Sequence, residues 1–319
     1  MSTLLDVVKD NPAEQRRRTL ELLEEKLKEV CNDNSCVLSI INNVYNPQAR
    51  PYSMLEITTI GIVEQMLVKL KETGCSTLFI ILNTLGGDIH FPEMLIIKIR
   101  GLEFNRLYVI VPSIAMSAGS LLVLLSDGLW APRRAVLGPI DPQLVLQTPQ
   151  GPRVVPAISL KKLIEETIPR LAIEKELGKE NLTKLYIAQD LLAYQAALQS
   201  LKYMSRILER EVKKRLRPEA YEKLKKSFLS DVSTHGKPLN PQFLKELGFP
   251  VTILDEDVNQ NVLKLIERYD ALCQKSFLFE PGLKTLIVGS RLGEIVLGVR
   301  PPQQPPQPSK PAKQQKSEK

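Results

Sequence analysis

Histidine is nearly missing from this chain: 319 residues contain two, His90 and His235. Histidine-based chemistry is therefore confined to two positions. Two separated histidines among scattered carboxylates do not form a metal-ligand set, so no metal and no cofactor are expected. Cysteine is also scarce. Cys31, Cys36, Cys75 and Cys273 lack the paired spacing of a metal site, and they read as free thiols in a reducing compartment. No apolar run approaches the length of about 18 residues needed to span a bilayer. The opening MSTLLDVVKD has no basic segment followed by an apolar core, so no secretory signal is expected. These absences together predict a cytoplasmic protein. Aromatic residues make up only 5% of the chain and do not interleave with its basic stretches. The net charge of +7 is accordingly read as solvated helix faces and a basic tail, not as a nucleic-acid surface. No internal repeat is present.

What is present is an alternation of apolar strands and amphipathic helices. The pattern predicts strands at 37–41, 78–82 and 107–111, with a short one near 135–137. Helices are predicted at 55–71, 91–101 and 117–127. Such alternation points to a mostly parallel sheet covered by helices, whose ligands sit at the C-terminal strand ends. Residues 138–158, rich in Pro, Gly and Gln, read as a loop over that end. Helical character returns over 159–230, with breaks at Gly178 and Pro218 and one long helix over 182–215. A helix at 241–247 and a strand at 251–254 follow.

Four segments are expected: an N-terminal amphipathic helix (1–34), the main α/β domain (35–257), a C-terminal helix and hairpin (258–299), and a disordered Pro/Gln/Lys tail (300–319). In the first, Leu20, Leu23, Leu27 and Val30 share one face. That face packs on its own domain or, alternatively, on a neighbouring subunit or a membrane surface. The long helices 13–30, 182–215 and 258–274 carry more apolar face than one domain needs, which predicts self-association.

Two turns fall at the functional strand ends. NTLGGDI (Asn83 to Ile89) joins a strand to a helix through Gly86 and Gly87. SIAMSAGS (Ser113 to Ser120) does the same through small residues. The first is either a tight turn needing positive φ or a cradle of backbone N–H groups able to hold an oxyanion. The second is either an ordinary capped turn or a device that exposes a serine above a helix N-terminus.

NTLGG, VPSIAMSAGS, VLGPIDPQ, VPAIS and STHGKPLNPQFLKELGFPV occur in this order. Together they resemble the serine dehydrogenase proteinase family of the Clp-protease and crotonase superfamily, over roughly residues 35–253. The resemblance implies a Clp/crotonase-like α/β fold with extra N- and C-terminal helices. It also implies an ATP-independent serine hydrolase acting on peptides, assembled as a homo-oligomer. Ser117 matches the nucleophile, and Gly86, Gly87 and Ala118 match the oxyanion hole. His235, in the late THGKP motif, is the candidate base. Asp141 either orients it or merely caps the turn between Pro139 and Pro142.

Three positions depart from the family pattern: Ala118 and Leu85 replace a usual Gly and Pro, and Gly236 replaces the Asp that follows the histidine. No histidine lies between Ser117 and His235, so the triad order of the Clp proteolytic subunit does not transfer. A Ser-Lys dyad, as in signal peptide peptidase A relatives, would draw on Lys161 or Lys162, provided burial lowers the amine's pKa. His90 is read as capping a helix or lining the groove. Two other functions stay open: an inactive scaffold that keeps the fold, and a crotonase-like acyl-CoA enzyme.

Overall fold

A computed structural model of the chain describes residues 11–148, 151–173, 191–230, 237–255 and 259–299. Its centre is a seven-stranded sheet. In chain order the strands are β1 (Ser35–Asn42), β2 (Thr77–Asn83), β3 (Arg106–Ile110), β5 (Gly128–Ala131), β9 (Val251–Ile253), β10 (Leu283–Ser290) and β11 (Gly293–Val299). Their spatial order is β11-β10-β1-β2-β3-β5-β9. The run from β1 to β9 is parallel, while β10 joins β1 antiparallel and β11 closes a hairpin on β10. β1 and β2 are buried along their whole length. A parallel strand covered on both faces is apolar without alternation, and that is how these segments read.

On the front face lie α2 (Ile60–Glu72), α3 (Phe91–Gly101) and α4 (Ala118–Leu125). Every residue of α4 is buried, because AGSLLVLL offers no polar face and can be stable only inside the core. The rear face is covered by α1 (Pro12–Cys31) and α10 (Gln260–Phe279). They meet Val37, Ile41, Phe79 and Ile81 of the sheet. Local chemistry delimits α1: Asn11 accepts a hydrogen bond from the Ala13 amide, Pro12 opens the helix, and Asn32 ends it at φ 49°.

Some expectations change here. Leu20, Leu23 and Leu27 are fully buried against the rear of the sheet, at about 2 kcal/mol each. The apolar faces of α1 and α10 are thus used mostly within the chain, while Val30 on α1 and Phe279 at the end of α10 stay exposed. The net positive charge is not all on solvated helix faces: Arg16 is only 2% exposed. It grips Glu294 through Nε (2.8 Å) and Nη2 (2.6 Å), tying α1 to the terminal hairpin. Glu24 is buried too. It accepts the Val37 amide at 3.0 Å, and Arg291 Nε lies 2.7 Å from its other oxygen. Hydrophobic periodicity cannot reveal such pairs, because they are satisfied only by partners distant in sequence.

The loop expected at 138–158 contains a two-stranded ribbon, β7 (Gln143–Thr148) and β8 (Gly151–Pro156). Cross-strand pairs such as Leu144 with Val155 stabilise it despite its prolines, which an isolated ribbon tolerates at its unpaired edges. The main-sheet strand after α4 is β5, which the pattern missed. The expected strand near 135–137 is β6 (Val136–Leu137), which lies outside the main sheet, pairs with β4 (Ile114–Ala115) and bridges to Leu239. The remaining helices are α5 (Ala157–Lys162), α6 (Ile168–Ile173), α7 (Leu191–Glu211), α8 (Pro218–Lys225) and α9 (Pro241–Glu246). Gly178 and the tail from 300 onward lie outside the described residues.

The cysteines also differ from expectation. Cys36 and Cys75 form a disulfide, and Cys31 and Cys273 are free. The bond ties β1 to the turn entering β2, which only parallel pairing brings together. The reading of four free thiols therefore fails, and with it the inference of a reducing compartment drawn from them. The bridge spans a separation of 39 residues. Replacing both cysteines by serine is expected to lower stability by about 4 kcal/mol. Thermal melts with and without reductant check this, and a wild-type midpoint indifferent to reductant would refute it.

Candidate active site

The site forms where the two small-residue turns meet. The first leaves β2 at Thr84, which pairs with Ala115 of β4 in a parallel bridge. Thr84 also exchanges main-chain bonds with that strand: its amide donates to Ile114 O (2.9 Å), and its carbonyl accepts from Met116 N (3.1 Å). The Thr84 hydroxyl oxygen accepts the Gly86 amide at 3.0 Å. Beyond it, the Leu55 amide donates to Gly86 O and the Asp88 amide donates to Leu55 O, both at 2.8 Å. The Gly-Gly turn is thus clamped between β4 and the segment around Leu55.

Only glycine fits these two positions. Gly86 has φ +111°, and a Cβ there would lie 2.7 Å from Ser117 Cβ. Gly87 has φ +150°, and a Cβ there would lie 2.2 Å from Leu55 O.

The second turn is Met116 to Gly119, closed by the Gly119 amide donating to Met116 O at 2.8 Å. Ser117 occupies its second position at φ 50°, ψ −119°, a conformation that usually selects glycine. Few serines adopt it, because it strains the backbone. Here it holds the side chain away from the helix, directly ahead of α4. Ser117 Oγ makes no hydrogen bond to any described residue. The Ala118 amide opens the first turn of α4, where helix N–H groups have no intrahelical partner. At the other end of α4, Arg215 Nη1 donates to Leu124 O at 3.1 Å, placing a cation at the negative end of the helix dipole.

Ser117 lines a cleft of about 540 Å³. Its wall includes Met54, Glu56, Ile57, Leu85, Gly87, Asp88, Ile89 and Gln143. The helix expected from residue 55 begins instead at Ile60, after a short turn at Ile57–Thr59. Leu55 pairs with Gly87 in a parallel bridge, and this tertiary contact overrides the helical periodicity of the preceding residues. Thr58 and Thr59, both common at helix starts, were the available signal. Gln143 and the strip from Met54 to Thr58 are site residues that sequence reasoning missed.

The other candidates are distributed unevenly. Asp141 is buried at 1% exposure, two residues before Gln143. His235 lies outside the described residues, as does Gly236. The chain on either side of them is anchored to the segment that bears Asp141. Ile140 N donates to Phe228 O at 2.8 Å, and Leu137 exchanges two bonds with Leu239, at 2.7 and 2.9 Å. Lys161 and Lys162 sit on α5, and neither lines the cleft. Lys161 is 40% exposed and faces Glu165 at 3.7 Å.

His90 precedes α3 without capping it through its side chain. Its Nδ1 lies 3.0 Å from Tyr203 Oη on α7. From there a polar clasp runs between α3 and α7. Tyr203 donates to Glu93, and Arg210 Nη2 donates to Glu93 at 2.6 Å. Arg210 Nε and Arg100 Nη2 each donate to Glu211 at 2.7 Å. The bond from Arg100, aided by Arg210 and opposed by burial, pulls the Glu211 carboxyl down to about 2. A carboxyl with a depressed folded pKa stabilises above its unfolded value, near 4.5, and that contribution is lost as pH falls towards about 2. The stability difference between wild type and Glu211→Gln should therefore be full at pH 6 and shrink on acidification through this window. Melts at a series of pH values would refute the clasp if the difference stayed constant.

Among the described residues, no group of His, Cys, Asp and Glu could hold a metal ion, and no helix is long and apolar enough to cross a membrane. Two relatives are named the uncharacterized proteins MJ1495 and MJ0137 of Methanocaldococcus jannaschii. MJ1495 is 28% identical over 192 residues, 60% of this chain and 56% of that protein. MJ0137 is 28% identical over 245 residues, 76% of this chain and 77% of that protein. The chain thus spans little more than half of the first relative. The family described as ClpP-like SDH-type serine proteinase matches residues 33–280. That match runs across the parallel sheet, both glycine-bearing turns and the cleft between them, and the chain belongs to the ClpP-like SDH-type serine proteinase family.

Proposed function

We propose that the protein is an ATP-independent serine peptidase with Ser117 as nucleophile. The observation that carries this reading is Ser117 at φ 50° on the tip of its turn, beside Gly86 and Gly87 and open to the cleft. Gly86 spends its amide on Thr84, so the oxyanion is assigned to the N–H groups of Gly87 and Ala118. His235 acts as general base and Asp141 as its orienting carboxylate. The anchoring of Phe228 and Leu239 beside Asp141 supports that pair.

The Ser-Lys dyad fits less well. A base lysine needs burial to be neutral, whereas Lys161 is only half-buried and faces Glu165, and neither Lys161 nor Lys162 lines the cleft. An acyl-CoA substrate also fits poorly, since the charged groups lining the cleft are carboxylates and would repel its phosphates.

In this reading substrate attack proceeds as follows. His235 takes the Ser117 hydroxyl proton as Oγ adds to the scissile carbonyl. The Gly87 and Ala118 amides hold the resulting oxyanion, and the imidazolium returns its proton to the leaving amine. Water then repeats the sequence on the acyl-enzyme.

The test is labelling of the full chain by a fluorophosphonate probe. Wild type, Lys161→Ala and Lys162→Ala should label, whereas Ser117→Ala and His235→Ala should not. An unlabelled wild type would identify a scaffold. Labelling that survives in His235→Ala but is lost in a lysine variant would identify the dyad.

Self-association is part of the same proposal. Its support is the outer face of the β7–β8 ribbon, where Val145 and Val154 stand opposite each other at 63% and 60% exposure. Light scattering of wild type and of a Val145→Lys/Val154→Lys variant tests it. A monomeric wild type at micromolar concentration would refute it.

A further inference from the structure

The charge lining the cleft beside Ser117 is opposite in sign to the net charge of the chain. The sequence has a formal net charge of +7, yet the two charged residues that line this cleft, Glu56 and Asp88, are both acidic. Several carboxylates elsewhere sit against cations, as Glu64 does against Lys98, Glu93 against Arg210 and Glu267 against Arg134. Glu56 and Asp88 have no ion-pair partner among the described residues. Glu56 Oε2 accepts only the Thr58 hydroxyl (3.1 Å), and Asp88 Oδ1 accepts the His90 amide (2.8 Å). The His90 ring is turned towards Tyr203 instead. The same cleft is lined by the apolar side chains of Met54, Ile57 and Ile89, and Met54 is substantially exposed although it is large and apolar.

We propose, on the basis of the peptidase reading, that this cleft selects cationic peptide segments, with an apolar side chain seated on Met54, Ile57 and Ile89 and a neighbouring Lys or Arg directed to Glu56 and Asp88. An apolar bed gives contact area without sequence discrimination. Unpaired carboxylates at its rim supply the discrimination, because low-dielectric walls focus their field into the cleft. A cation beside them gains an ion pair, and an anion meets like charge from both. Glu56 and Asp88 are the specificity-determining residues in this account.

The experiment compares hydrolysis by the full chain of three peptides. They share one apolar core and carry Arg, Gln or Glu on either side of it. The expected order of kcat/KM is Arg, then Gln, then Glu, with about tenfold between the first two at low salt. The preference should narrow as salt is raised, because the carboxylates are partly exposed. Glu56→Lys with Asp88→Lys should reverse the order. Should that variant fail to fold, the salt dependence in wild type still decides the matter. Wild-type labelling by fluorophosphonate without a preference for the Arg peptide, or with no cleavage of it, overturns this inference alone. Absence of labelling overturns it together with the peptidase reading.

Discussion

Replacing Ser117 by glycine is expected to make the protein more stable and inactive. At φ 50°, ψ −119° a residue with a Cβ is strained, and such strain costs on the order of 1–3 kcal/mol. Glycine adopts the conformation freely but loses about 0.5–1 kcal/mol through the greater entropy of its unfolded chain. The serine side chain gives up no hydrogen bond to a described residue, so nothing else offsets the relief. The net gain is about 1 kcal/mol, or a rise in Tm of about 2 °C. Ser117→Ala keeps the strain and should melt like wild type. Both variants should lose peptide hydrolysis by at least about 10⁴-fold, since residues of a catalytic unit fail together. His235→Ala should match them in activity. If Asp141 orients His235, Asp141→Asn should reduce kcat with a milder effect, because the base itself remains in the chain. If His235 is the base, activity of the wild type should rise with pH as the imidazole loses its proton. A Ser117→Gly protein that melts below Ser117→Ala would remove the argument that the turn stores strain for the sake of an exposed hydroxyl.

Gly87→Ala is the second large effect. Its Cβ would fall 2.2 Å from Leu55 O and 2.5 Å from Leu55 N, both main-chain atoms that cannot rotate away. The substitution must push apart the Gly-Gly turn and the Met54–Thr58 wall, or break the Leu55–Gly87 bridge. Overpacking together with a conformation disfavoured by alanine should cost about 3–5 kcal/mol. The displaced Gly87 amide should also lower kcat by about 10²–10³-fold if it is an oxyanion donor. Gly61→Ala serves as control. Nothing lies within 4 Å of its Cβ position, so helix α2 should gain slightly and activity should not change. Normal activity in a folded Gly87→Ala protein would strip Gly87 of its assigned role.

The parallel sheet was legible because its strands are short apolar runs between helical patterns of 3.6 period, and both signals are local. Helix α3 was bounded correctly at 91–101 for the same reason. The two glycine-bearing turns were legible as turns, since small residues between an apolar strand and a helix leave few alternatives. That Ser117 and Gly86 meet was expected from the family resemblance, but no local signal shows it. It depends on Thr84 bonding to β4 and on α4 being wholly buried, which are contacts between segments about thirty residues apart.

The ribbon at 143–156 and strand β5 were missed where prolines and a four-residue length weaken any periodic signal. Cys36 and Cys75 read as unrelated thiols because pairing across parallel strands leaves no trace in spacing. The burial of Arg16 and Glu24 leaves no mark in the pattern, because a charged residue on a helix is usually solvated. By itself the sequence determined the order of strands and helices and the chemical character of the two turns, because backbone propensity and hydrophobic period act within a few residues. Only the tertiary structure decided which amides are left for an oxyanion, which wall faces Ser117 and which charges are buried. Each of those outcomes is a competition among partners far apart along the chain, settled only when the sheet brings them within hydrogen-bond range.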